Sequence, residues 1–82
     1  MKPRWREIAL TYSRNQFSEF FNHPEYRGEK FTWERFPDMM ERLFRSSFFV
    51  YYANPKVAEK YVERSIKVMR TNVLRLMKEN GL

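Results

Sequence analysis

Residues 54–81 read NPKVAEKYVERSIKVMRTNVLRLMKENG, and the two ends of this stretch decide the fold. Asn54 offers a side-chain oxygen to the unpaired backbone N–H groups of a helix start, and Pro55 brings a fixed φ suited to the first helical turn. Asn80-Gly81 supplies the stop, because glycine takes the left-handed conformation that closes a helix. Between them Ala58, Val62, Ile66, Met69, Val73 and Leu76 recur at three- and four-residue steps, flanked by Tyr61 and Met77. That period predicts one amphipathic helix over about 55–79, roughly 37 Å long.

Upstream, Phe36, Met40, Leu43, Ser47, Val50 and Tyr51 share a face while Asp38, Glu41, Arg42 and Arg45 lie opposite, which predicts a second helix over about 36–52. Its start falls between Thr32 and Asp38, because Pro37 suits a first turn and breaks a helix interior; Phe31 to Phe36 can then form a separate turn. The run from Phe48 to Tyr52 is apolar all round and also fits a buried strand, but no second strand-like run exists to pair with it. A first helix is expected over about 3–22, with Trp5, Ile8, Ala9, Tyr12, Gln16 and Phe20 on one side and Leu10, Phe17 and Phe21 beside them. His23 to Lys30, which contains Pro24 and Gly28, reads as an exposed loop. The expectation is an all-α, single three-helix domain over 1–82 with a long basic C-terminal helix.

At 82 residues the core must be thin, and an 18% aromatic content compensates because each ring buries a large area. With no cysteine there is no disulfide framework, no thiolate nucleophile and no cysteine-held zinc or iron–sulfur centre. His23 is the sole histidine, so no histidine pair or triad exists within the chain. A P-loop, a dinucleotide fingerprint and a nucleophile elbow need glycines, of which there are two. The expectation is a non-enzymatic protein with no cofactor, no metal and no small-molecule substrate. The longest charge-free run, Ser46 to Pro55, is far shorter than the roughly 20 residues that span a bilayer, so a cytoplasmic protein without membrane contact is expected.

The net charge of +6 is unevenly placed. Residues 1–41 hold seven basic and seven acidic residues, whereas residues 42–82 hold nine basic against three acidic and so carry the whole excess. On the predicted third helix Lys56, Lys60, Arg64, Lys67, Thr71, Arg75 and Lys78 follow at steps of three or four, which aligns six cations on one face. Such a row suits a phosphate backbone or an acidic protein surface. It also suits a solvated face in which Lys56–Glu59, Lys60–Glu63 and Glu63–Lys67 form helical ion pairs. At the N-terminus Lys2, Arg4 and Arg6 surround Trp5, which reads either as a basic arm with a stacking ring or as an indole packed on the core beneath solvated cations. Phe49 and Tyr52 fall beside Arg42 and Arg45; with Trp5 they are candidates for a protein interface, unless another helix covers them.

Residues 54–64 resemble the helical hairpin segment of the archaeal ribonuclease P zinc-ribbon subunit. The cysteines that hold zinc in that family are absent, so the match is read as a common amphipathic pattern and no family is assigned. Taken together, the residues predict a small basic accessory subunit of a nucleic-acid-processing complex, such as a DNA or RNA polymerase or a ribonucleoprotein. Its expected partners are a larger protein subunit and nucleic acid bound without sequence preference. A DNA-binding regulator of helix-turn-helix type is the first alternative. Against it, Pro24 to Phe31 exceeds a 3–4-residue turn and the third helix starts with Lys and Glu rather than base-reading amides. The second alternative is a structural or interaction protein, a virion component or inhibitor, without nucleic-acid contact.

Overall fold

The computed structural model describes residues 4–48 and 55–82. Helix α1 spans Trp5–Asn22, α2 spans Phe36–Phe48 and α3 spans Pro55–Glu79, with a single 3-10 turn at Pro24–Tyr26 after α1. Among the described residues there is no strand, so the all-α, three-helix expectation holds. The part of the second helix expected over residues 49–52, and with it the choice between helix and strand there, lies outside the described residues.

Pairs of touching side chains give the helix directions. Trp5 stacks on Tyr61 and Ser13 bonds to Asn72, so α1 and α3 run the same way. Arg45 pairs with Glu63 and Asp38 with Arg70, so α2 runs against α3. The core between them comprises Ala9, Phe17, Phe36, Met40, Phe44, Val62, Ile66, Met69, Val73 and Met77. On α3 Val62, Ile66, Met69 and Val73 are the expected apolar stripe, but at its end Met77, expected as a flank, is buried and Leu76 is only half-buried, as is Tyr61. On α1 the buried centre is Ala9, Ser13 and Phe17, while Trp5, Ile8, Tyr12 and Phe20 flank it. Most of the wide apolar arc of α1 is covered by α3 and, through Tyr12, Phe17 and Phe20, by α2, whereas Phe21 at its edge is exposed.

The polar residues Ser13, Ser65 and Asn72 are also buried, a feature not foreseen from the sequence. Each is satisfied, as buried polar groups must be. Ser65 donates to the Tyr61 carbonyl at 2.9 Å and Ser13 to the Leu10 carbonyl at 2.9 Å, while the Asn72 amide donates to Ser13 Oγ at 2.7 Å.

One end of the bundle is closed by rings. Phe17, Phe20, Phe31, Trp33 and Phe36 contact one another at centroid separations between 5.0 and 6.4 Å, each such pair adding roughly 0.5–1.5 kcal/mol beyond area burial. Arg27 ties the loop to this cluster. Its Nε donates to the Phe20 carbonyl at 2.7 Å and its Nη2 to the Phe21 carbonyl at 3.0 Å, capping the last turn of α1 with a positive charge. The same guanidinium lies over the rings of Trp33 and Phe31. Residues 33–35 form the separate turn that Pro37 required, and Thr32 Oγ1 accepts from the Arg35 N–H just before α2 begins. At the far end of α3, Gly81 has φ 78°, Leu82 N–H bonds to the Met77 carbonyl and Gly81 N–H to that of Lys78. This is the paired closure that the Asn80-Gly81 stop predicts.

Candidate nucleic-acid interface

The six cations of the expected row, Lys56, Lys60, Arg64, Lys67, Arg75 and Lys78, and Thr71 among them, all lie exposed on α3. From Lys56 to Lys78 the row covers about 33 Å of helix, close to one turn of a nucleic-acid duplex at about 34 Å. The seventh cation of α3, Arg70, is turned toward α2, where it donates to Asp38 at 2.8 Å and Glu41 at 3.3 Å.

What the fold does with the acids is decisive for this face. Glu63, whose spacing suits Lys60 and Lys67, instead binds Arg45 across the α2–α3 interface at 2.5 Å. That hydrogen bond holds the Glu63 carboxyl below the ordinary glutamate range and raises the Arg45 guanidinium. Lys67 adds a weaker coulombic pull on Glu63 from a greater distance. Asp38 and Glu41 are taken by Arg70, and Arg45 also reaches Glu41 at 3.6 Å. Among the described residues Lys60, Arg64, Lys67 and Lys78 therefore have no carboxylate within ion-pair distance, whereas Arg75 pairs with Glu79 at 2.6 Å as its spacing predicts. Lys60 and Arg64 rest over the Tyr61 ring at 5.5 and 5.7 Å, a contact that leaves their charges facing water.

Folding also joins two features that are separate in sequence. The α1–α3 packing opens a groove of about 460 Å³ lined by Arg6 and Leu10 of α1 and by Lys67, Val68, Thr71, Asn72 and Arg75 of α3. One cation of the N-terminal cluster thus stands beside the row. Arg75 is held by the buried amide: its Nε and Nη2 donate to Asn72 Oδ1 at 3.2 and 2.7 Å, and its Nη1 to Glu79. Ser13 supports this arrangement, since its acceptance of the Asn72 NH2 group turns the Asn72 oxygen toward Arg75.

The other candidate residues are distributed differently. Trp5 is half-buried, stacked on Tyr61 at 6.0 Å with planes 17° apart, so the indole is held on the bundle. Arg4 is exposed and paired with Glu7. Arg42 is exposed on α2 beside the exposed Leu43. Lys2, Phe49 and Tyr52 lie outside the described residues. Asn72, Ser13 and Arg27 were not singled out from sequence. For the first two a signal existed: Ser13 stands four residues from both Ala9 and Phe17, and Asn72 three residues from Met69, so helical phase places both in the core.

Among the described residues no group of three or more His, Asp or Glu side chains could hold a metal ion, and no helix is long and apolar enough to cross a membrane. The fold and the site define a small helical bundle with a row of exposed cations along α3. Comparison with protein-family models, with curated proteins and with solved structures finds no match.

Proposed function

We propose that this chain is a non-enzymatic accessory subunit of a nucleic-acid-processing assembly, of the polymerase or ribonucleoprotein kind, that grips the sugar–phosphate backbone with the outer face of α3. The observation that carries the reading is the diversion of acids: Glu63, Asp38 and Glu41 neutralise Arg45 and Arg70 at the α2–α3 interface, leaving Lys60, Arg64 and Lys67 uncompensated. A face that merely kept the protein in solution would be served as well by mixed charges, whereas neighbouring cations without acid partners attract a polyanion and release its counterions. Backbone contacts of this kind position a protein without reading bases. Docking on a larger subunit falls to α2, where Arg42 and Leu43 are exposed and Phe49 and Tyr52 follow in the chain. The protein works in the cytoplasm in this reading.

Two measurements test it. In anisotropy titrations the isolated protein should bind nucleic acid at about micromolar strength or weaker at physiological salt, without sequence preference. Arg64→Glu with Lys67→Glu should lower the affinity at least tenfold and reduce the slope of log affinity against log salt by about two, with the helical spectrum intact. Unchanged binding by that variant would mean that the row is only solvated. Recovery of the tagged protein from its host, with and without nuclease, separates the classes: a nuclease-resistant polymerase or ribonucleoprotein supports the accessory reading, and nucleic acid alone supports a free DNA-binding regulator.

A further inference from the structure

The groove between α1 and α3 has a composition that a plain phosphate-binding ridge does not need. Its rim carries Arg6, Lys67 and Arg75 together with the Thr71 hydroxyl, and its floor includes the half-buried aliphatic side chains of Leu10 and Val68. Arg75 is preset at the rim. A guanidinium has five N–H donors, and the bonds to Asn72 and Glu79 occupy the Nε donor and one on each terminal nitrogen, so each terminal nitrogen keeps one N–H for a ligand. Its side-chain freedom is already largely spent in the unbound protein, which lowers the cost of ordering it on binding.

The apolar floor discriminates between two forms of the same polyanion. A duplex presents phosphates and sugars and keeps the faces of its bases inside the stack, so Leu10 and Val68 gain little from it. A single strand offers an unstacked base, whose flat apolar face can cover an aliphatic floor while the flanking phosphates meet the rim. The groove, an open depression of about 460 Å³, has room for one base. We propose that this groove is a subsite for a single nucleic-acid strand, in which Arg6, Lys67 and Arg75 hold the phosphates and Leu10 and Val68 receive one unstacked base. The inference rests on the backbone-binding reading of α3 and adds strand state as its selectivity.

The test uses a labelled deoxythymidine oligonucleotide, which has no structure of its own, and a duplex of equal length, each titrated with the full chain at two salt concentrations. The single strand should bind about tenfold more tightly, the gain expected from covering two aliphatic side chains. Leu10→Gln with Val68→Thr should erase that preference and leave duplex affinity unchanged; circular dichroism checks that the double variant remains helical. Equal or tighter duplex binding, or a preference that survives the double variant, overturns the single-strand subsite while the cationic row stands. Binding of neither probe overturns the backbone reading and the subsite together.

Discussion

Arginine does opposite work at the two sides of this molecule. At the ring-closed end Arg27 is engaged within the chain, with two donors on the last carbonyls of α1 and its flat face on Trp33 and Phe31. On the outer face of α3, Arg64 lies over the Tyr61 ring and, among the described residues, has no carboxylate partner. The difference teaches that a cation count says little until the acids are assigned. A guanidinium with backbone and aromatic partners contributes to folding, and one without them remains available to something outside the chain.

The sharpest separation of the two sides comes from a pair of variants. Phe36→Ala removes a fully buried ring from the closed end and should cost about 3–5 kcal/mol in urea denaturation. The double reversal of Arg64 and Lys67 should stay within about 0.5 kcal/mol of the parent by the same measurement. Comparable losses from both would break the contrast between a structural end and a binding face. Next in size, Arg27→Ala should cost about 2 kcal/mol, as it leaves carbonyls of α1 uncapped and ends two ring contacts. Arg27→Lys should restore less than half of that, because an ammonium cannot reproduce the fork. Full recovery by lysine would show that charge alone matters there.

The smallest effect concerns the diverted acid. Glu63 is held below its ordinary value of 4.5, chiefly by the hydrogen bond from Arg45. A lowered folded-state value means a contribution that is present above about pH 4.5 and lost as the pH falls through the lowered value. The pair is exposed, so the stability change is slight and NMR is the right probe. The Glu63 carboxyl should titrate below 4.5, and Arg45→Gln should return it toward that figure. A Glu63 midpoint insensitive to Arg45→Gln would place the acid back with Lys60 and Lys67 and weaken the case for an uncompensated row.

How much of this was legible in the sequence follows from the range of each interaction. The start and stop of α3 were readable, because Pro55 and Asn80-Gly81 act on their own backbone, and the separate turn before α2 was readable from Pro37. The exposed row was readable because helical phase is local. Glu63 was assigned from sequence to its helical neighbours, and its partner Arg45 is 18 residues away, so only the packing of α2 on α3 decides between them. Arg27 gave no sign of its role, since it bonds to carbonyls, which every residue carries. The groove was hidden for a similar reason: Arg6 and Lys67 meet only when α1 and α3 are packed side by side.

That meeting depends on the polar pair in the core. Two smooth amphipathic helices running the same way can slide past each other by a turn, about 5.4 Å, with modest loss of apolar contact. Here such a slip would break the Asn72–Ser13 bond and strand the Asn72 NH2 group in the interior, at roughly 1–3 kcal/mol, while Ser13 keeps its bond to the Leu10 carbonyl. The pair is therefore a notch that sets the register of α1 on α3. A chain with Ser13→Ala and Asn72→Leu would fold without the notch, and the first thing to blur would be the alignment of Arg6 with Lys67 and Arg75 on the surface, about a helix radius away from the change.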